Sequence, residues 1–272
     1  MFADDLIVYR GIRGTQDEVQ FQEDLDKLVS WAELWGMKFN ASKCKVMRIS
    51  RKRDPGHPSY QMLGTTLEEV TSTQYLGIHI QNNLKWDVQT HYAVGKATRV
   101  LNFLMRNFHN CTKKIKEQLY NSMVKPHLQY ASAAWNPGMV KNKDLLEKVQ
   151  RRAARFVMGD FHRTSSVTEM LQQISWETIE EGRIKTRTRT LQKIIMNRLA
   201  IDGSKYFKPK PSRSRRGHEN QLVLHETPYT DIMKQSFFAE AIAIWNRFPV
   251  VPVPDDDDDS KSLTSQKPQL NF

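Results

Sequence analysis

Apolar side chains recur at helical spacing through residues 88–200, and no strong strand pattern separates the runs. Two of these stripes are Val94, Ala97, Leu101, Leu104 and Phe108, and Leu145, Val149, Ala153 and Phe156. Residues three and four apart fall on one side of an α-helix, so each stripe predicts an amphipathic helix with one buried face. A further long helix is predicted from residue 176 to about residue 199. The spacing therefore predicts a helical bundle over residues 85–200.

The first 80 residues mix helical and extended patterns. Residues 6–9 (Leu-Ile-Val-Tyr) predict a short buried strand, and Thr15 with Glu18 forms a capping-box pattern at the start of a helix that Gly36 ends. Strands are also predicted over residues 44–49 and 75–80, with a small hairpin about Gly64 between them. We therefore expect an α+β fold, predominantly α, in which one helix packs on a small antiparallel sheet ahead of the helical bundle.

The C-terminal part of the chain differs in composition. Residues 201–250 are rich in Pro, Ser, Lys and Arg, and their pattern predicts one short helix over residues 236–245. Residues 251–272 contain an aspartate run and a polar tail, which we expect to be disordered. The six tryptophans lie on apolar stripes or at element ends, and we interpret them as core residues rather than platforms for base stacking.

The formal net charge of +11 favours a polyanionic partner, either nucleic acid or an acidic membrane surface. Solvated surface lysines would give the same balance, so the charge leaves both interpretations open. No apolar run approaches the roughly 18 residues of a transmembrane helix. The two cysteines, Cys44 and Cys111, argue against a disulfide scaffold and fit a reducing compartment. We expect an intracellular protein of the cytoplasm or nucleus, neither secreted nor membrane-bound.

Basic side chains cluster on two of the predicted helices. The outer face of the first carries Lys148, Arg151, Arg152 and Arg155, and the second carries Arg183, Lys185, Arg187 and Arg189. Contact with a phosphate backbone requires several cations on one side, and like charges without compensating carboxylates repel one another. These residues are therefore predicted to bind nucleic acid. The alternative is an ordinary solvated face.

Asp4 and Asp5 stand side by side after Phe2-Ala3. Mg²⁺ prefers oxygen ligands and usually shares carboxylates with substrate phosphates, so a carboxylate pair on a tight turn is typical of phosphoryl-transfer sites. On residue type alone, a helix cap or a solvated turn is the favoured explanation of the pair.

The order of segments around this pair resembles the second half of a reverse-transcriptase palm in the non-LTR (LINE, jockey-like) retrotransposon family. The segments that carry the resemblance are Phe2-Ala-Asp-Asp5, Gly36-Met-Lys-Phe-Asn40-Ala-Ser-Lys43 and Leu76-Gly77. Later segments resemble the family's helical region, namely Lys96-Ala97, Phe103-Leu-Met-Arg-Asn107, Val124-Lys-Pro-His-Leu-Gln-Tyr130, the helix over residues 146–156 and Trp245-Asn-Arg-Phe-Pro249. The resemblance covers roughly residues 1–250.

This resemblance implies an RNA-directed DNA polymerase that acts on an RNA template and a DNA primer. It implies a partial palm over residues 1–82 and a helical thumb with its downstream domain over residues 85–200. In that arrangement Asp4 would be a Mg²⁺ ligand, Asp5 its catalytic neighbour, and Lys43 a cation near the phosphates of the incoming nucleotide.

The same resemblance makes Leu76 and Gly77 part of a primer grip, where glycine allows close backbone approach. An ordinary hairpin turn remains an equal alternative for this pair, as a surface lysine does for Lys43.

One departure from the family pattern affects the expected activity. The family's palm needs a further aspartate on an earlier strand, and neither that strand nor the fingers can fit into residues 1–3. Two carboxylates without the third bind Mg²⁺ weakly and cannot hold two ions in register. We therefore expect the chain alone to be inactive as a polymerase. The alternative function is a non-catalytic, basic helical module that binds nucleic acid.

Overall fold

Helices form most of the computed structural model, which describes residues 5–50, 52, 56, 58–210 and 221–247. The helices are α1 (Thr15–Leu34), α2 (Asp87–Asn107), α3 (Lys113–Leu119), α4 (Lys125–Gln129), α5 (Val140–Met158), α6 (Val167–Gln173), α7 (Ile179–Ile195), α8 (Asp231–Lys234) and α9 (Phe237–Arg247). The strands are β1 (Lys45–Val46), β2 (Gln61–Met62), β3 (Thr65–Thr66), β4 (Glu68–Glu69), β5 (Ser72–Tyr75), β6 (Ile78–Gln81), β7 (Phe207–Pro209) and β8 (Leu222–Leu224). The expected α+β class with helix predominating is confirmed.

Across these described ranges, no helix combines the length and the apolar character that crossing a membrane requires.

The strands pair two by two and do not build the single antiparallel sheet that was expected. In the described chain, β2–β3, β5–β6 and β7–β8 are antiparallel pairs, whereas β1 and β4 run parallel. The strand predicted over residues 6–9 is wrong, since these residues form no strand and Tyr9 is 91% exposed. A strand needs a hydrogen-bonded neighbour along its length, which an apolar run alone does not supply.

Helix α1 has the predicted extent but begins differently from the prediction. Its N-cap residue is Gly14, without a side-chain cap, so Thr15 is already helical and the predicted capping box does not form. Its C-terminus follows the prediction, because Gly36 adopts φ +66° and the Met37 N–H donates to the Ala32 carbonyl at 2.8 Å. Such a left-handed glycine satisfies the last carbonyls of a helix.

The largest core lies among α2 to α7. Leu101 and Leu104 of α2 are fully buried, and so are Ala153 and Ala154 of α5, against which α2 packs. Each buried leucine contributes about 2 kcal/mol of transfer free energy, and the small alanines let the two helices approach closely. The predicted stripes on these two helices are the buried faces.

The chain does not break at Pro126, where the end of a helix was predicted. A π-helical turn over Tyr120–Val124 follows α3 directly, and Pro126 then stands in the first turn of α4. A proline inside a continuous helical run lacks one N–H of the hydrogen-bond ladder, and the π-helical turn directly before it is where that ladder is altered. The predicted continuation of helix through residues 127–135 stops at Gln129.

Two smaller groups of buried apolar residues accompany the main core. Leu25 of α1 packs with Tyr60 and Met62 at the β2–β3 hairpin. The other group joins the end of α7 to β7, β8 and α9; its members are Leu191, Ile194, Phe207, Leu222, Ala241, Ile242 and Trp245. Helix α7 therefore takes part in two cores, across the boundary predicted near residue 200. The tail predicted over residues 251–272 lies outside the described residues.

Two glycines make a matched test of the helical backbone, because a Cβ added to either would meet no atom within 4 Å. Gly95 lies inside α2, whereas Gly159 ends α5 with φ +70°. Gly95→Ala should raise the free energy of unfolding by about 0.5–1 kcal/mol, because helical glycine carries an entropic cost. Gly159→Ala should lower it by about 1 kcal/mol, because alanine is strained at positive φ. Urea unfolding measures both, and a change of the same sign in both variants would contradict this account.

Candidate nucleic-acid interface

The outer face of α5 presents an exposed group of cations, Lys148, Arg151 and Arg152, called here the α5 basic face. These residues alternate with Val149 and Ala153, which are buried on the opposite side of the helix. In the described chain no carboxylate lies within 4 Å of the three cationic groups. Three exposed positive charges on one side of a helix suit contact with phosphates.

Arg155, predicted to belong to the same group, has a structural role. Its Nη1 donates to the His162 carbonyl at 2.7 Å and its Nη2 to the Ser165 carbonyl at 3.2 Å. These bonds hold the loop between α5 and α6 against the end of α5. Arg155 is half-buried and lies at the margin of the α5 basic face.

Arg183 lies in the interior, 2% exposed, although its sequence context predicted a nucleic-acid contact. Its Nε donates to Asn136 Oδ1 at 3.0 Å and its Nη1 to the Leu128 carbonyl at 2.8 Å, while Nη2 donates to the Trp135 carbonyl. The guanidinium also stacks 4.1 Å from the centre of the Trp135 ring. A side chain held on every side by protein cannot reach a ligand, so this prediction was wrong.

Arg187, one turn further along α7, is 1% exposed and was wrongly predicted in the same way. Its Nη1 donates to the carbonyls of Ser132 and Ala133 at 3.2 and 3.1 Å. Its Nη2 lies 3.1 Å from Glu240 Oε2 on α9, the ion pair that offsets its burial. The two arginines therefore join α7 to the segment after α4 and to α9.

Burial lowers the pKa of both guanidinium groups. The pKa of Arg183 is lowered to about 9, mainly by loss of hydration and to a smaller extent by the positive charge of Arg187. The carboxylate of Glu240 raises it. Loss of hydration likewise lowers the pKa of Arg187, opposed again by Glu240. Arg183 stays protonated at neutral pH even so, because a pKa near 9 is two units above it. Its charge is satisfied by carbonyl oxygens instead of by water.

The spacing of residues along α7 distinguishes its buried cations from its exposed ones. Arg183 and Arg187 continue the spacing of the buried residues Ile179, Leu191 and Ile194 along α7. The remaining predicted cations, Lys185 and Arg189, are on the exposed side. Lys185 pairs there with the carboxylate of Glu177.

The turn predicted at Leu76-Gly77 is present between β5 and β6, with φ of +46° and +77°. Tyr130, just after α4, covers it. The Tyr130 Oη donates to the Leu76 carbonyl at 2.9 Å, and a Cβ on Gly77 would lie 3.4 Å from the Tyr130 ring. Nothing local in the sequence links Tyr130 to this turn, because they are 54 residues apart. The contact fixes the turn against the helical region.

The predicted catalytic residues are only partly described. Lys43 is exposed at the end of a 3₁₀ turn over Ala41–Lys43, and Asp5 is exposed in an isolated β-bridge. Asp4 lies outside the described residues. Among the residues described, no group of three or more His, Cys, Asp or Glu side chains could hold a metal ion. The described donors therefore do not form a Mg²⁺ site by themselves, and the Asp4–Asp5 site stays a prediction.

The chain is similar to transposon-derived proteins. It is 32% identical over 157 residues to an uncharacterized transposon-derived protein of Caenorhabditis elegans, a match that covers 55% of this chain and 51% of the relative. It is 24% identical over 211 residues to the Drosophila melanogaster protein named "Probable RNA-directed DNA polymerase from transposon BS", covering 73% of this chain and 23% of that protein. The chain thus spans about half the length of one relative and about a quarter of the other.

No family model matches the chain. No solved structure matches it either. The relation to transposon-encoded proteins therefore comes from the two relatives, and the finer features of the retrotransposon family remain expectations from the sequence.

Neighbouring arginines on α7 provide a matched test of the buried network. Arg187→Ala should lower the free energy of unfolding by about 3–5 kcal/mol, because it leaves the buried carbonyls of Ser132 and Ala133 without their donor and removes the charge partner of Glu240. Arg189→Ala, two residues away on the exposed side, should change it by less than about 0.5 kcal/mol. Urea unfolding of the two variants measures the difference, and equal effects would show that the Arg187 network does not support the fold.

Proposed function

We propose that this chain is part of a reverse transcriptase of a non-LTR (LINE, jockey-like) retrotransposon, and that its helical region binds the template–primer nucleic acid. The observation that carries the proposal is the α5 basic face. The relative named as an RNA-directed DNA polymerase supports the polymerase assignment, together with the Phe2-Ala-Asp-Asp5 segment and the segments that follow it in the order of that family.

The geometry of the α5 basic face suits a phosphate backbone. Lys148 and Arg152 are one helical turn apart, about 6 Å along the axis, so the two cations can reach different phosphates of one strand, whose charges recur about every 3.4 Å along the duplex axis. An arginine presents a planar fork that can bind two phosphate oxygens at once, and Arg151 and Arg152 both lie on this face. Because the apolar side of α5 is packed in the main core, its cations are presented on a rigid support.

The roles of the remaining residues belong to the same proposal. Leu76 and Gly77 would contact the primer backbone, in a turn whose position Tyr130 fixes. Lys43 would lie near the nucleotide phosphates, and Asp4 with Asp5 would contribute to Mg²⁺ binding. The ion would supply charge stabilisation to phosphoryl transfer.

A second function is a non-catalytic module that binds nucleic acid. The α5 basic face favours it directly, because electrostatic attachment to phosphates needs only exposed cations on a stable helix. Both functions share nucleic-acid binding, and they differ in whether synthesis of a new strand follows.

Removal of the α5 basic face tests binding. Wild-type protein should bind an RNA–DNA template–primer with an affinity that falls steeply with salt, because each phosphate contact releases counterions. Lys148→Ala/Arg151→Ala/Arg152→Ala should make the slope of log affinity against log salt shallower by about 2–3. A charge-matched control, Lys27→Ala/Lys205→Ala/Lys234→Ala, removes three exposed cations from other elements and should leave the slope nearly unchanged. Equal slopes in both triple variants, or binding that ignores salt, would contradict the interface.

Primer extension separates the two functions. On a primed RNA template with Mg²⁺ and deoxynucleotides, synthesis that disappears in Asp5→Asn would assign polymerase activity to this chain, since that change keeps the size of the side chain and removes its charge. Salt-dependent binding without extension would assign the non-catalytic function, and it is the result expected from the sequence. Extension that survives Asp5→Asn would contradict the role assigned to Asp5.

A further inference from the structure

Helix α2 carries two aromatic and three cationic side chains along one outer face, called here the α2 stripe. Its members are Tyr92, Lys96, Arg99, Phe103 and Arg106. At 3.6 residues per turn these positions fall within a narrow sector of the helix surface, and they extend about 21 Å along its axis. The buried residues of α2, among them Ala97 and Leu101, lie on another side. The α2 stripe therefore does not pack in the main core.

The charge of the α2 stripe suits a polyanion. Arg99 and Arg106 are exposed, and no carboxylate of the described chain lies within 4 Å of either guanidinium. The one acidic residue of α2 is Asp87, at its start. Lys96 places its Nζ 4.4 Å from the centre of the Tyr92 ring, so the α2 stripe already pairs a cation with a π-face.

The aromatic rings distinguish the α2 stripe from the α5 basic face. Phe103 is 47% exposed between two arginines, and its ring makes an edge contact with that of Phe108, with 6.3 Å between ring centres. The ring of Tyr92 makes an edge contact with that of His79, with 4.5 Å between ring centres. An exposed phenyl ring flanked by cations can stack on an unpaired base while the cations contact the adjacent phosphates.

A glycine beside the α2 stripe adds an independent observation. Gly95 is exposed in the middle of α2, where glycine costs about 1 kcal/mol relative to alanine. No atom lies within 4 Å of the Cβ position, so internal packing gives no reason for a glycine. A bare backbone at this point lets a ligand strand approach the helix closely.

We propose that the α2 stripe binds unpaired nucleic acid, with Phe103 stacked on a base and Arg99 and Arg106 on phosphates. The inference rests on the proposed nucleic-acid function and deepens it, because it assigns single strands to a separate surface. Duplex hides the faces of its bases, so binding at the α2 stripe should depend on free bases, whereas binding at the α5 basic face should not.

An abasic oligonucleotide tests this directly, because it keeps the phosphates and removes the bases. Fluorescence anisotropy should show that wild-type protein binds oligothymidylate of about 12 nucleotides more tightly than an abasic strand of equal length. Phe103→Leu should weaken binding to oligothymidylate by about 5- to 100-fold and leave binding to the abasic strand unchanged. Phe103→Trp should retain the preference. Arg99→Ala should weaken binding to both strands.

The control variant is Trp35→Leu, which removes an exposed aromatic ring from the end of α1 and should leave both affinities unchanged. Equal wild-type affinity for oligothymidylate and the abasic strand would overturn the inference. A Phe103→Leu variant that keeps the preference for oligothymidylate would also overturn it, as would a Trp35→Leu variant that loses this preference as much as Phe103→Leu does. In any of these cases, wild-type protein that binds duplex through the α5 basic face would show that the proposed function stands and that only the α2 inference fails. Wild-type protein that binds neither unpaired strands in the expected way nor duplex would refute both.

Discussion

The buried arginine network on α7 is the interaction on which the rest of the helical region depends. The turn after α4 leaves backbone carbonyls facing the interior, and Arg183 and Arg187 donate to those of Leu128, Ser132, Ala133 and Trp135. Carbonyls at the end of a helix have no partners within it and carry partial negative charge, so two cations satisfy both requirements. Glu240 then ties the same network to α9. Because α7 also belongs to both helical cores, these contacts hold the two cores together.

This network changes the meaning of the chain's positive charge. An excess of +11 suggests one extended basic surface. Two of its arginines are instead enclosed in protein, Arg155 holds a loop, and Lys185 is neutralised by Glu177. The cations that remain available in the described chain include the three of the α5 basic face and those of the α2 stripe.

Sequence patterns correctly predicted those features of the fold that depend on neighbouring residues. The extent of α1, its glycine stop, the hairpin about Gly64 and the turn at Leu76-Gly77 all follow from residues close in sequence. The failures depend on distant partners. The run over residues 6–9 has strand propensity but no described strand neighbour. Trp31 and Trp35, interpreted as core, are 40% and 68% exposed because no described element covers that end of α1. The same holds for the candidate site. The spacing of residues within α5 predicted its exposed cations, whereas the contact between Tyr130 and Leu76, which are far apart in sequence, was not predicted.

The two cationic surfaces differ in the chemistry they can recognise, and the difference follows from what surrounds each cation. Lys148, Arg151 and Arg152 stand over a buried apolar face, so this surface offers charge alone and cannot distinguish a duplex from a single strand except by phosphate geometry. Arg99 and Arg106 flank an exposed ring, so that surface gains additional free energy from bases that are free to stack. A primed template contains both states, paired bases behind the primer end and unpaired bases ahead of it. Under the proposed function, a chain with both surfaces would favour the junction between the two states, because a shift that placed a paired segment on the ring would lose the free energy of stacking.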